Sequence, residues 1–232
     1  CRISDRLFAM NPFLPRQNFY SQQLRALALV EVIAELHLPV GERNVLIVGA
    51  GVAGRTLAAA FSAIGASVRL IDVSTRDFER YRNAVHRELH PNIIFWPAQK
   101  PVPATALPFL NWAQASAKEV VAGLAEEWDD SFGHKIGILP EEVTAIRQSP
   151  DAIELALKKG GALKGDLCVL AMGFKDERRV GTLKSPSYWS PGAVADEDQA
   201  VLVSGSGDGG LIDVLSPILG TDVTRAAHLV AV

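Results

Sequence analysis

Two short apolar runs, residues 45–48 (VLIV) and 68–71 (VRLI), stand on either side of a stretch of small residues, 49–65. Four-residue apolar runs bounded by turn residues read as buried strands. The stretch between them reads as a slim helix, with Ala58 and Ala59 on it and Gly65 closing it. Upstream, residues 1–20 contain Pro12 and Pro15 and show no period, so they predict an irregular arm. Ser21 is placed to cap a helix running to about Leu38. Its Leu24, Leu27, Leu29, Val30, Val32, Ile33 and Leu36 spread around most of the surface, which predicts cover on more than one side. Pro39 and Gly41 end it.

Downstream the pattern changes. Residues 73–90 are charged. A proline-rich segment, 91–108, is too long and apolar for an idle linker and predicts a packed loop or lid. Ala117, Val120, Val121, Leu124, Ala125 and Trp128 then recur at helical spacing on one face. Residues 134–139 predict a strand. A β-meander follows, with strands at 143–146 and 153–157 and a Gly160-Gly161 turn. Residues 167–171 (LCVLA) predict a buried strand ending near Gly173. Polar, turn-rich residues 175–199 lead to a last strand at 200–203 and a short helix from about Leu211, whose end Pro217 obscures. No internal repeat or low-complexity tract interrupts the order.

The join between the first strand and its helix carries chemistry. It reads Gly49-Ala50-Gly51-Val52-Ala53-Gly54, and the second strand closes on Asp72 and Val73. Gly49 permits a sharp turn off the strand. Gly51 lets a pyrophosphate approach the backbone, and Gly54 lets the helix pack closely. The helix N-terminus offers free N–H groups and a positive dipole end to phosphates. Asp72, 18 residues beyond Gly54, is spaced to accept a hydrogen bond from a ribose 2′-OH. A strand, three glycines, a helix, a second strand and a terminal acid in register point to a dinucleotide. Asp72 would repel a 2′-phosphate, which disfavours NADP here.

Composition narrows the remaining choices. The chain has 232 residues, 48% of them hydrophobic and 21% charged, enough for a sizeable core without staples. A net charge of -3 implies no strong affinity for polyanions, so no nucleic-acid partner is expected. Cys1 and Cys168 form neither a disulfide framework nor a CxxC site, so a reducing cytoplasmic setting is expected. No apolar run reaches the ~18 residues of a membrane span, and no membrane association is expected. No His, Cys, Asp or Glu grouping has the spacing of a zinc or hydrolase site, so no metal is expected. The start at Cys1 and the apolar close, AAHLVAV, read as cut from a longer chain.

With the glycine loop, the meander, Ala171-Met172-Gly173 after a buried strand and Gly207-Asp208 after the last strand, the chain resembles the FAD-binding domain of the glutathione-reductase-like flavoprotein superfamily. The resemblance covers roughly residues 44–215. It implies that the "ATG" motif of that family is Ala171-Met172-Gly173, with Met in place of Thr. It implies that the "GD" motif is Gly207-Asp208, whose Asp contacts the ribityl-phosphate part of FAD. Gly205-x-Gly207-x-x-Gly210 also reads as the opening of a second nucleotide unit, and both readings stand at this point. Three features depart from the family. Asp72 replaces the usual Glu, the redox cysteine pair is absent, and 33 residues between Gly173 and Gly207 are too few for an inserted NAD(P) domain.

The sequence therefore predicts an α/β fold: a Rossmann-like parallel sheet with a GxGxxG βαβ unit, a β-meander and an N-terminal helical arm. Residues 1–43 are expected as arm and helix, and 44–232 as the FAD/NAD(P)-binding domain. The expected function is an FAD-dependent oxidoreductase, or its FAD-binding portion, acting on a small-molecule substrate. An NAD(H)-binding dehydrogenase and a non-catalytic dinucleotide-binding module are the alternatives. An S-adenosylmethionine methyltransferase is disfavoured by the meander, because that fold continues with alternating helices and strands. The cofactor contacts expected are Gly49, Ala50, Gly51, Val52, Ala53, Gly54, Asp72, Val73, Ala171, Gly173, Gly207 and Asp208. No catalytic residue is assigned. His86, His90, Arg76, Arg80, Arg82, Arg87, Trp96 and Trp112 are further candidates for substrate, phosphate or flavin contact. The oligomeric state is not encoded in any pattern of the chain.

Overall fold

A computed structural model describes residues 1–10, 18–36, 43–91, 104–173, 187–190, 202–203 and 213–214. The chain divides into two compact units. The first comprises Cys1–Glu79, Leu107–Leu110 and Leu124–Phe174; the second comprises Arg80–Ala106, Asn111–Gly123 and Lys175–Val232.

The first unit is built on a parallel sheet of five strands. They are β1 (Leu7–Ala9), β2 (Asn44–Val48), β3 (Ser67–Asp72), β6 (Ile138–Pro140) and β10 (Leu167–Leu170), in the spatial order β1-β10-β2-β3-β6. The central strand β2 and its neighbour β10 are almost uninterruptedly buried, as strands covered on both faces must be. Alternation assigns each residue a face. Leu46, Val48, Ile71 and Cys168 turn toward the meander and pack there against Ile153 and Leu155. Val45, Ile47, Leu70 and Val169 are left for the opposite face. There α2 (Val52–Ala63) lies on β2 and β3, and α1 (Phe19–Glu35) lies on α2. The meander is an antiparallel sheet of β7 (Val143–Gln148), β8 (Ile153–Leu157) and β9 (Ala162–Gly165). The layers are therefore helices, parallel sheet and meander.

The expected α/β architecture is present, and its details correct several readings. The first ten residues are not an irregular arm: β1 pairs in parallel with β10, in register Phe8 to Val169, and Phe8 is buried. A three-residue strand is too short to show a period, so only its pairing reveals it. Ser21 is not the N-cap of α1. Asn18 is, with its Oδ1 accepting from the Ser21 N–H at 2.7 Å while Ser21 Oγ accepts from the Asn18 N–H at 2.9 Å. This is a reciprocal capping box. The helix ends at Glu35, short of the expected Leu38. Among the described residues it is covered on one side: Phe19, Gln23, Ala26, Val30 and Ile33 form the buried stripe, while Leu24, Val32 and Leu36 are exposed.

Further along, α3 (Ala117–Trp128) follows its apolar spacing, with Ala117, Val120, Val121, Leu124 and Trp128 all buried. It runs into a wider π turn, Asp129–Gly133, and the amides of Lys135 and Ile136 both return to the Phe132 carbonyl. That closure delays the next strand, so β6 starts at Ile138 rather than 134. Strand β7 extends to Gln148, and β9 was not delimited by the sequence pattern. Gly160 and Gly161 both have positive φ (98° and 86°) and form the β8–β9 turn.

The second unit contains a two-stranded antiparallel ribbon, β4 (Glu88–Leu89) with β5 (Ala115–Ser116). Thr105 and Trp112 exchange backbone and side-chain hydrogen bonds within it, so this described part of the proline-rich segment is packed. Residues 92–103 of that segment, most of the polar 175–199 stretch, most of the last strand and helix, and the whole Gly205–Gly210 site lie outside the described residues.

Candidate functional site

The order of strands locates the site. From β2 the chain crosses to β3 on one side and later returns to β10 on the other. Ligands in open α/β sheets bind outside the carboxyl ends of strands at such a switch point. Gly49, Asp72 and Ala171 occupy the carboxyl ends of β2, β3 and β10. The Ala171 N–H donates to the Val48 carbonyl at 2.7 Å, and the Gly49 N–H donates to the Ile71 carbonyl at 2.7 Å. Two motifs far apart in sequence are thereby stitched to one backbone edge.

The glycines are explained by what surrounds them. Gly49 turns off the strand with φ 107°, and a Cβ there would collide with the Ala171 carbonyl. A Cβ on Gly54 would collide with the Gly49 carbonyl, with the Ala171 methyl next in line at 3.6 Å. Gly51 differs: among the described residues, a Cβ there would meet no atom within 4 Å. It is also the N-cap of α2 and supplies no side-chain hydrogen bond to the helix end. Among the described residues, the first N–H groups of α2 thus have neither an intrahelical partner nor a side-chain cap, and the space over Gly51 is open. This combination of donors and space is what a pyrophosphate needs. Val52 is half-buried and Ala50 and Ala53 are buried, so these three shape the loop from beneath.

Asp72 is tied into the loop by both carboxylate oxygens. Oδ2 accepts from the Ala50 N–H at 2.6 Å and Oδ1 accepts from the Ser74 N–H at 2.8 Å. A carboxylate retains further lone pairs, so these bonds leave capacity for a ribose hydroxyl. Val73, immediately beyond, is 71% exposed, and Met172 beside Ala171 is 67% exposed. Both are apolar side chains facing solvent beside the glycine loop. Gly173 has φ 68°, a left-handed turn that takes the chain off the sheet edge.

One residue of the site escaped the sequence reading. Arg55, on the first turn of α2, is buried with only 1% of its side chain exposed. Helical side chains lean toward the N-terminus. Its Nε accordingly reaches back and donates to the Ala50 carbonyl at 3.1 Å. Its guanidinium forms an ion pair with Asp77 and lies 4.8 Å from the ring centroids of both Phe78 and Trp128. Burial pulls the guanidinium below its ordinary pKa, opposed by the charge and hydrogen bond of Asp77. The available signal was a lone cation directly after Gly54 in a helix otherwise made of small and apolar residues.

The other candidates are distributed differently. Arg76 is exposed and pairs with Glu79 at 3.3 Å, and Arg80 and Arg82 are exposed. In the second unit Arg87 is buried. It stacks 3.8 Å from the Tyr188 ring centroid, its Nε donates to the Tyr188 carbonyl at 3.0 Å, and it faces Asp213 at 2.7 Å. His86 hydrogen-bonds the Ser190 backbone; burial and then the Arg87 charge hold its pKa down, so the ring stays neutral at pH 7. His90 is half-buried and Trp112 is buried in the fold. Trp96, Gly207 and Asp208 lie outside the described residues. Cys168 is buried between β1 and β2, and burial pushes its thiol up to about 12. Among the described residues, no group of three or more His, Cys, Asp or Glu could hold a metal ion. Among them, too, no helix is long and apolar enough to cross a membrane.

No protein-family model and no curated protein matches the chain. Solved structures do. The chain is similar to a water-forming NADH oxidase from Lactobacillus brevis bound to NADH, at 19% identity and a TM-score of 0.40, covering 74% of this chain and 26% of that one. It is similar to an NAD-dependent persulfide reductase from A. fulgidus, at 16% identity and a TM-score of 0.38, covering 63% and 20%. It is similar to a ferredoxin reductase from Rhodopseudomonas palustris, at 19% identity and a TM-score of 0.37, covering 61% and 26%. The chain spans about a quarter or less of the length of each.

Proposed function

We propose that the chain binds a dinucleotide at the carboxyl ends of β2, β3 and β10, and that the dinucleotide is FAD. The observation that carries the reading is the open, uncapped Gly51 end of α2, closed in by Gly49 and Ala171 and flanked by Asp72. On this reading the α2 amides of Val52, Ala53 and Gly54 receive the pyrophosphate. Asp72 receives the adenosine ribose, and Val73 lies beside the adenine. Ala171 and Gly173 border the flavin side, and Asp208, with Gly207, serves the ribityl-phosphate end.

A bound flavin supplies hydride or electron transfer, and the protein supplies orientation and electrostatics. The whole is then an FAD-dependent oxidoreductase, or its FAD-binding portion, acting on a small-molecule substrate in the cytoplasm. Residues 44–232 form its nucleotide-binding domain, with residues 1–43 joined to it. A second reading, NAD(H) in the same cradle, is favoured by the acid itself: Asp72 is one methylene shorter than Glu and is drawn into the loop.

The test is an absorbance spectrum of the purified protein, with thermal shifts on adding FAD, NAD and ADP. Flavin bands, or stabilisation by FAD beyond that by ADP, support the first reading. Stabilisation by NAD but not FAD supports the second. A colourless protein stabilised by none of the three overturns both.

A further inference from the structure

Ala50 lies between the first two glycines, and both of its backbone polar groups are already engaged inside the protein. Its N–H goes to Asp72 at 2.6 Å and its carbonyl takes the Arg55 Nε at 3.1 Å. A carbonyl turned outward at this point would repel an anion seated on the next three amides. The group that holds it inward is costly to keep. Arg55 is buried, and its Nη1 has no hydrogen-bond partner among the described residues. Buried cations are retained where they are paired, and Asp77, in the loop after β3, is the counter-ion. The residue next to Asp77 is also under strain. Phe78 has φ 47°, a left-handed conformation that a bulky side chain rarely adopts, and its ring lies against the Arg55 guanidinium. A buried charge with an unpartnered nitrogen and a strained aromatic residue therefore meet at one guanidinium. That guanidinium joins the glycine loop, the loop after β3 and the end of α3.

We propose that Arg55 is the positioning residue of the nucleotide site, with Asp77 as its counter-ion: the pair locks the Ala50 peptide so that the α2 amides are presented to a pyrophosphate. The proposal rests on the dinucleotide reading above and deepens it. Arg55 does not touch the ligand. It acts through the Ala50 carbonyl and, through Asp77 and Phe78, on the loop that follows Asp72. The pyrophosphate then meets a preformed set of donors and loses less ordering entropy on binding.

The experiment titrates ADP, the half common to FAD and NAD, against wild type, Arg55→Met, Asp77→Asn and the double variant. Ile33→Ala, a core change on α1 outside the site, is the stability control. Arg55→Met is expected to raise the ADP Kd at least tenfold and Asp77→Asn at least threefold. The double variant should bind within twofold of Arg55→Met, because the two residues form one device. Ile33→Ala should stay within twofold of wild type. Amide exchange supplies a readout independent of affinity: residues 49–54 should exchange at least tenfold faster in Arg55→Met and unchanged in Ile33→Ala. If Arg55→Met does not fold, Asp77→Asn carries both measurements, since Asp77 is 38% exposed and the substitution preserves shape. Binding by Arg55→Met within twofold of wild type, or an equal loss in Ile33→Ala, overturns the proposal while leaving the dinucleotide reading intact. Failure of wild type to bind ADP overturns the dinucleotide reading and the positioning role with it.

Discussion

Asp72 and Ala50 are joined by a 2.6 Å hydrogen bond from a backbone N–H to a carboxylate, and this bond ties the end of β3 to the turn after β2. Bonds of this charge-assisted kind contribute about 1.5–3 kcal/mol when partly buried. Asp72→Ala removes it together with the Ser74 bond. The expected result is a loss of about 2 kcal/mol in denaturant-derived stability and at least a tenfold weaker ADP affinity. Asp72→Asn keeps an acceptor oxygen and should fall between the two.

The three glycines separate folding from binding. Gly49→Ala and Gly54→Ala drive a methyl into backbone atoms, so both should lower stability by more than about 2 kcal/mol, with or without nucleotide. Gly51→Ala meets nothing within 4 Å among the described residues and should leave the apo protein within about 0.5 kcal/mol of wild type. Its cost should appear on ligand addition, as a loss of most of the thermal shift produced by ADP. A Gly51→Ala protein that binds ADP as wild type does would show that no ligand approaches the backbone there.

Cys168 makes a prediction about alkaline pH. Its folded pKa, about 12, lies above the ordinary thiol value of 9.0, so the unfolded chain releases this proton first as pH rises. The associated stability is fully present below pH 9 and is lost between pH 9 and 12, at up to about 1.4 kcal/mol per pH unit. Cys168→Val should remove this component of the alkaline decline. In the native state at pH 8, a thiol reagent should label the exposed Cys1 and spare Cys168.

The meander should behave as core. Leu155 is fully buried on β8 within the cluster formed with Leu46, Val48 and Ile71, so Leu155→Ala should cost about 2–5 kcal/mol in chemical denaturation. Leu36→Ala, at the exposed end of α1, should change stability by less than about 0.5 kcal/mol. Equal losses at the two positions would mean that α1 is covered on its outer face as well.

The strongest local signals in the chain survive almost unaltered in the fold. Strands β2 and β3, helix α2, helix α3 and the Gly160-Gly161 turn lie where apolar spacing and glycine placement put them, because each is specified by its own neighbours in sequence. Position Gly49 announces its positive φ as a glycine after an apolar run, and Asp72 announces itself as an acid at a strand end. Readings failed where the determining partner is distant. Strand β1 exists because β10 offers it an edge, Asn18 caps α1 because Ser21 answers it, and β6 begins late because a π turn closes on Phe132.

The sequence alone determined the fold class, the βαβ unit and the position of the glycine loop, since those depend on periodicity, backbone freedom and residue spacing within about 30 positions. Tertiary structure alone decided that Ala171 closes against Gly49, that Asp72 grips the Ala50 amide, and that Asp77, Phe78 and Trp128 gather around the guanidinium whose Nε holds the Ala50 carbonyl. Each of these is a through-space meeting of groups carried on different elements. Neither residue's local pattern specifies such a meeting until the strands are ordered.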